Sequence, residues 1–193
     1  RVVLNAIERA HNASGRSDLR HELSHAGFVD PSDIPRFKQL NAVADLSPYM
    51  WNPSPIITAI IDAVGDRGKH YWPIRDLLDA DAPVLAGSDW PSAVPSMDPW
   101  LGIQTMVTRR DPTGETPGAL WAEQAVSLEE TLRIFTIDGA KALRRDHVTG
   151  SLKIGKSADL IVLDRNLFDI PPEDVVNTTI DFTLFAGEIV HQA

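Results

Sequence analysis

A short apolar segment near the middle of this chain runs directly into a carboxylate, which restricts the fold to few classes. Residues 83–86 are Pro, Val, Leu and Ala, and Gly87, Ser88 and Asp89 follow. An apolar run too short for a helix and stopped by glycine predicts a buried parallel strand. Barrel enzymes of the α/β class carry catalytic groups at the carboxyl ends of such strands, so Asp89 is a candidate catalytic acid. It could equally cap the turn that follows the strand.

A second segment, upstream, also places a polar residue near the end of a predicted strand. Residues 18–26 are predicted to form a strand, and residues 2–13 before them carry apolar side chains at helical spacing. On a strand, His21 and His25 would share one face, with His25 nearer the carboxyl end. A neutral imidazole there is a suitable metal ligand. Alternatively, His21 is a hydrogen-bonded core histidine and His25 a strand-end residue that faces water.

The next segments continue the alternation of helix and strand. Proline follows an aspartate at residues 30–31 and again at residues 33–35, which predicts a helix start, and residues 42–46 read as a strand. The loop at residues 47–55 is rich in proline and aromatic residues and lies where barrel enzymes place substrate contacts. Trp51 in this loop could form a pocket wall, or it could pack the loop onto the barrel.

Residues 71–79 are predicted to form a helix with Arg75 on its exposed side. Together with Trp90 and Trp51, Arg75 is a candidate substrate-binding residue. Residues 91–123 are rich in Pro, Gly, Thr and Trp and are too long for a simple connection. Loops of that length are usually functional or disordered.

The predicted secondary structure changes from helices to short strands toward the carboxyl end of the chain. Ser127 and Glu130 match a capping box at the start of the last barrel helix. Beyond that helix, turns and short strands replace helices, with strands predicted at residues 160–163, 182–186 and 188–191. Because three short strands cannot bury both faces of a sheet, we expect them to complete a sandwich with an amino-terminal segment that this sequence lacks.

Composition limits the partners and the compartment. The 193 residues have a net charge of −9 and contain no basic cluster, so neither nucleic acid nor an anionic membrane is an expected partner. No apolar stretch is long enough to predict a transmembrane span. Cysteine is absent, which excludes disulfides and thiol chemistry and fits a reducing compartment, so a cytoplasmic location is expected.

These segments belong to an ordered set of motifs. In chain order the set comprises Arg20-His21, Ser24-His25-Ala26, Val29-Asp30-Pro31, residues 33–37, residues 87–91, Val107-Thr108-Arg109-Arg110, Glu123-Gln124-Ala125 and residues 150–160. The set resembles the carboxyl-terminal half of a metal-dependent amidohydrolase, and its closest branch is amidohydrolase family three, which includes deacylases and formamide deformylases. The resemblance extends from about His21 to Gly187.

The resemblance implies an α/β fold of two parts. Residues 1–148 would form the carboxyl-terminal part of a TIM barrel, about strands six to eight of a metal-dependent hydrolase domain. Residues 149–193 would supply strands of a small composite β-sandwich. Because the chain opens with Arg1, inside the helix expected after the fifth strand, we interpret it as a fragment.

The resemblance also assigns site residues. His25 corresponds to the metal-binding histidine of the sixth strand, and Asp89 to the catalytic and metal-binding aspartate of the eighth. The family's other ligands, a His-x-His pair and groups on the fourth and fifth strands, do not occur here. Ser24 stands where a glutamate is expected; since a strand alternates faces, it should point away from the metal and affect packing or ligand support. The implied cofactor is a divalent metal, with zinc as the default.

The implied activity is hydrolysis of an amide-type, non-peptide carbon–nitrogen bond in a small molecule, by a protein that could form a homo-oligomer. Asp89 would accept a proton from water and return it to the leaving nitrogen. The missing ligands leave other interpretations open. The chain could be a catalytically silent barrel remnant or a scaffold or binding subunit, and a sugar-binding or storage barrel is a third option.

Overall fold

A parallel sheet forms the first part of the molecule. In the computed structural model, which describes residues 1–92 and 94–193, the strands in spatial order are β1 (Glu22–Ser24), β2 (Val43–Leu46) and β3 (Val84–Ala86). Ser24 pairs with Asp45, and Leu85 pairs with Asp45 from the other side. Because the strands are parallel, their carboxyl ends lie at one edge of the sheet. The sequence beyond each strand therefore contributes to a common surface.

The strands are shorter than their patterns predicted. The strand expected over residues 18–26 is confirmed only at its centre, because His25 and Ala26 adopt positive φ angles of 67° and 33°. This backbone geometry is outside the extended region and ends the strand. The strand predicted at residues 42–46 is confirmed, beginning at residue 43.

Helices connect the strands and pack on the sheet. In chain order they are α1 (Val2–Ser14), α2 (Ile34–Gln39), α3 (Pro55–Val64), α4 (Ile74–Asp79), α5 (Pro99–Thr108), α6 (Leu128–Arg133) and α7 (Gly139–Ala142). A π-helical turn, Ile134–Asp138, joins α6 to α7. Short 3₁₀ segments lie at Pro31–Asp33, Pro48–Met50, Gly65–His70, Ala122–Gln124, Leu167–Asp169 and Pro172–Asn177.

Most predicted helices are present, and two helices, α3 and α5, were not predicted. The helix predicted at residues 71–79 begins only at Ile74. Within residues 91–123, expected to be a loop, the structure contains α5. Its start is specified locally, because the Asp98 carboxylate accepts from the Trp100 amide at 3.0 Å and Pro99 occupies the first helical turn.

The capping box at the start of α6 is confirmed. The Ser127 hydroxyl accepts from the Glu130 amide, and the Glu130 carboxylate accepts from the Ser127 amide at 2.9 Å. Glu130 also receives a 2.8 Å bond from Arg75. Partial burial would raise the pKa of Glu130, but the bonds from Ser127 and Arg75 outweigh it and hold that pKa below its usual value.

Replacing Glu130 with glutamine is expected to lower the free energy of unfolding by about 1 kcal/mol at neutral pH. Because the pKa of Glu130 is depressed by folding, its contribution is present above the unfolded pKa and is lost as pH falls through the folded value. Urea unfolding from pH 7 to pH 3 should show the difference from wild type shrinking with acidity. Glu129→Gln, an exposed neighbour, is the control; an equal effect there would contradict the assignment.

The principal core lies between the parallel sheet and its helices. Its fully buried side chains include Leu4 of α1, Phe37 of α2, Leu46 of β2, and Ile74 and Leu77 of α4. Apolar side chains at helical spacing and at alternate strand positions meet here, as such patterns require. This packing fixes β1, β2 and β3 relative to one another.

A second sheet is antiparallel, with strands β4 (Leu160–Leu163), β5 (Ile180–Phe185) and β6 (Glu188–Gln192) in that order. Phe185, Ile189 and Val190 expose more than half of their surface, so this sheet leaves apolar area open to solvent. In a separate cluster, Trp100 and Ile103 of α5 pack against Leu167 and Val175. The domain division after residue 148 stays a prediction. Among the described residues, no helix is long and apolar enough to cross a membrane.

Candidate functional site

His25 and Asp89 lie together at the carboxyl edge of the parallel sheet. Nε2 of His25 is 3.9 Å from Oδ2 of Asp89, although β2 lies between the strands that carry them. Both residues follow a strand end, and both have positive φ, 67° and 59°. This backbone conformation is uncommon for non-glycine residues and turns each side chain out of the strand alternation. The two side chains are 49% and 29% exposed, so the pair is accessible to a ligand.

Ser47 orients the His25 ring. The hydroxyl Oγ of Ser47, directly after β2, lies 3.2 Å from Nδ1 of His25, and Ser47 is buried. When the hydroxyl accepts a hydrogen bond from Nδ1–H, the lone pair of the imidazole is on Nε2, the atom that faces Asp89. Such a bond fixes both ring orientation and tautomer, as partners of metal-binding histidines commonly do.

Asp45 is a second acidic residue of this candidate site, and the sequence interpretation missed it. It lies on β2, half-buried, and accepts a 3.3 Å bond from the Ser24 hydroxyl. Burial raises the pKa of Asp45 above its usual value; Ser24 and His25 lower it, and the negative charge of Asp89 raises it. The sequence did contain a signal for Asp45, a carboxylate inside an otherwise apolar strand. Burying a charge there is costly unless the charge is paired or hydrogen-bonded.

Ser24 contacts the candidate site through Asp45. The alternation of a strand predicted that residue 24 points away from the metal and affects packing or ligand support; its hydroxyl donates to Asp45, whose charge interacts with both His25 and Asp89. A role for Ser24 in supporting the site is consistent with this contact.

His21 is not part of the site. It precedes β1, and its ring lies 5.6 Å from the ring of His11 on α1, so the expectation that His21 and His25 share one face is wrong. Neither Nε2 atom of His11 and His21 has a hydrogen-bond partner in the described part of the chain. The physical reason is the short strand: His25 has left the extended conformation, and the period of two no longer relates the residues.

The three candidate substrate contacts occupy different places. Trp90 follows Asp89 directly and is 49% exposed. Trp51 is fully buried and packs its loop onto the core. Arg75 pairs with Glu130 and Asp79, each at 2.8 Å, and borders a cavity at the amino-terminal end of β3. The structure thus places Trp90 beside the catalytic candidate and does not bring Arg75 to it.

The His25–Asp89 pair can hold part of a metal site. A separation of 3.9 Å is shorter than two metal–ligand bonds of about 2.0–2.2 Å each, so one ion can contact both atoms. An imidazole nitrogen and a carboxylate oxygen also suit zinc and similar divalent cations. In the residues that the structure describes, no group of three or more His, Asp or Glu side chains is arranged to hold a metal. Further ligands would have to come from water or from other residues.

The segment after His25 is held by close packing against aromatic rings. A Cβ on Gly27 would lie 2.5 Å from the Tyr71 ring, so only glycine fits without displacement. The Gly27 carbonyl accepts from the Trp72 amide at 2.8 Å, and Tyr71 stacks on Phe28 with ring centroids 4.1 Å apart. These contacts hold the backbone that carries His25.

A parallel sheet with a histidine and an aspartate at its carboxyl edge has its polar groups where α/β barrel enzymes carry their active sites. The model of a family described as amidohydrolase matches residues 1–191, so the chain belongs to the amidohydrolase family.

Several known proteins are similar to this chain. N-substituted formamide deformylase of Arthrobacter pascens is 36% identical over 180 residues, which are 87% of this chain and 30% of that protein. The putative amidohydrolase YtcJ of Bacillus subtilis is 28% identical over 98% of this chain and 35% of its own length. An uncharacterized metal-dependent hydrolase from Pyrococcus horikoshii has the same fold over 86% of this chain and 32% of its own, with a TM-score of 0.69 and 24% identity. The chain thus spans about a third of the length of these relatives.

Proposed function

We propose that this chain carries part of the active site of a metal-dependent hydrolase that cleaves an amide-type, non-peptide carbon–nitrogen bond in a small molecule. The observation that carries the proposal is the 3.9 Å approach of His25 to Asp89 at the carboxyl edge of the parallel sheet. Family membership and the deformylase relative support the reaction class.

The fold we propose for the whole protein is a TIM barrel with an attached β-sandwich. The parallel order β1, β2, β3 suits three consecutive barrel strands, and among the described residues β1 and β3 each have one unpaired edge. A barrel removes such edges by closing the sheet. The exposed apolar side chains of the antiparallel sheet are consistent with a sandwich that further strands would complete.

A divalent cation held at this site would supply two things, a water whose pKa is lowered toward about 7 and polarisation of the substrate carbonyl. His25 would hold the ion through Nε2, in the orientation that Ser47 sets. Asp89 would take the proton from water and later deliver it to the leaving nitrogen, so that one carboxylate serves as base and then as acid. Burial raises the pKa of Asp45, which lies close enough to Asp89 for the two negative charges to interact.

A scaffold or binding role is the second candidate function. The observation that favours it is the incomplete ligand set: the sequence contains no His-x-His pair, and the described residues hold no cluster of three metal ligands. Under this alternative, His25 and Asp89 would not bind metal without another segment or chain.

The metal content of the protein tests the proposal. Elemental mass spectrometry of the purified protein should find bound divalent metal, and His25→Ala and Asp89→Ala should each reduce it. The two residues follow different strands, so a loss of bound metal in both variants would indicate that both residues bind the same ion. Absence of metal from the wild-type protein, or retention in both variants, would favour the scaffold role.

A further inference from the structure

Arg109 is a buried cation, and within the described residues no carboxylate forms an ion pair with it. It is 0% exposed, and neither Nη1 nor Nη2 has a hydrogen-bond partner within the described residues. Burial lowers its pKa to about 10, partly countered by the negative charge of Glu123, so Arg109 is charged at neutral pH. Burying a guanidinium in this way is costly, and the cost calls for a compensating role.

Two contacts hold Arg109 in place. Its Nε donates to the Leu120 carbonyl at 2.9 Å, and the Leu120 amide donates to the Arg109 carbonyl at 2.8 Å, which ties the end of α5 to a distant segment. The guanidinium carbon lies 5.0 Å from the centroid of the Trp51 ring, within the range of a cation–π interaction. Because Trp51 is itself fully buried, this interaction is shielded from water.

Trp51 connects Arg109 to the candidate site by two routes. In the first, Trp51 lies in the turn that begins at Ser47, the hydrogen-bond partner of His25; the Trp51 amide donates to the carbonyl of Pro48. Fixing the buried Trp51 ring would therefore restrict the turn that carries the Ser47 hydroxyl.

The second route passes through aromatic rings. The Trp51 ring lies 6.0 Å from the ring of Trp72, which is 2% exposed. The Trp72 amide donates to the carbonyl of Gly27, two residues beyond His25. A displacement of Trp51 would therefore reach the backbone on which His25 holds its positive φ.

We propose that Arg109 is a positioning residue for His25, acting through Trp51 on the Ser47 turn and on the segment at residues 25–28. The inference rests on the proposed function in one respect, the use of His25 as a metal ligand. Its structural part, that Arg109 sets the geometry around His25, is independent of whether metal binds.

The test compares Arg109→Met, Arg109→Lys and Val175→Ala with wild type in the intact protein. Arg109→Met keeps an apolar stem without charge, and Arg109→Lys restores a cation over the indole. Val175→Ala is a core truncation in the separate cluster with Trp100 and controls for general loss of stability. Co²⁺ affinity is followed by its absorption bands, and backbone amide signals at residues 25–28, Ser47 and Trp72 by NMR.

We expect Arg109→Met to weaken Co²⁺ binding about tenfold or more, as loss of support for a metal ligand typically does, and Arg109→Lys to restore most of it. Val175→Ala should bind Co²⁺ as wild type does. Unchanged affinity in Arg109→Met, no recovery in Arg109→Lys, or equal weakening in Val175→Ala would overturn the inference.

If the wild-type protein does not bind Co²⁺, the proposed function fails. The amide signals then test by themselves whether Arg109 sets the geometry around His25. Shifts at residues 25–28, Ser47 and Trp72 in Arg109→Met, absent in Val175→Ala, would support positioning. Unperturbed amides at these positions would refute it.

Discussion

Asp89→Asn should reduce turnover by a factor of about 10² to 10⁴ while the protein stays folded. Asparagine has nearly the shape of aspartate, so the segment after β3 keeps its packing, but the amide cannot accept a proton from water and return it to a leaving nitrogen. The measurement is kcat of the intact, metal-loaded protein with N-substituted formamides, the substrates that the name of one relative prints. Thermal unfolding of both proteins should give nearly the same midpoint.

The matched control for this variant is Asp62→Asn, the same change at an exposed position of α3. It should leave kcat within about twofold of wild type, because surface substitutions rarely affect a distant site. Near-normal turnover in Asp89→Asn would exclude Asp89 as the proton carrier. Equal losses in both variants would point to a general effect of the lost charge on this acidic chain.

The placement of the two principal candidate residues could be predicted because each follows from a local pattern. A polar residue that follows a strand lies at the carboxyl edge of a parallel sheet, and this holds for Asp89 after the apolar strand β3 and for His25 after β1, whose residues are Glu, Leu and Ser. The approach of the two side chains follows from the parallel topology. Other local patterns predicted the three strands of the antiparallel sheet and the capping box of α6.

The remaining members of the site depend on information that local patterns do not contain. Asp45 reaches the site because β2 lies between β1 and β3 and pairs it with Ser24, which only the sheet register decides. Ser47 approaches His25 because the backbone of His25 is left-handed, which the sequence does not signal. The same geometry excludes His21, which a regular strand would have placed on the same face.

Residue type alone also misleads about exposure. A tryptophan in a proline-rich loop can form a pocket wall or anchor the loop in the core; Trp51 is buried in the principal core, with the guanidinium of Arg109, distant in sequence, 5.0 Å from its ring. Arg75 was expected on the exposed side of its helix, but its side chain is only 28% exposed and pairs with Glu130 and Asp79. Whether such a side chain is exposed or buried therefore depends on partners that are distant in sequence.

Phe37→Ala is expected to lower the free energy of unfolding by about 3–5 kcal/mol. The Phe37 side chain is 1% exposed in the principal core, and its backbone carbonyl accepts from the Ala42 amide at the turn between α2 and β2. Truncation would leave a cavity beneath the sheet, and a loss of this size is a large share of the typical stability of about 5–15 kcal/mol. Urea unfolding at fixed pH measures the change, with Phe168→Ala as the matched control.

Phe168 is 63% exposed in a short 3₁₀ segment, so its truncation should cost less than about 1 kcal/mol. A contrast between the two phenylalanines would show that the core under the parallel sheet dominates stability. That core also fixes β2 and hence the position of Ser47, so metal binding in Phe37→Ala should be lost together with the cooperative unfolding transition. If Phe37→Ala is as mild as Phe168→Ala, the packing between α2 and the sheet does not determine where the site residues lie, and the candidate site must be held by its own contacts.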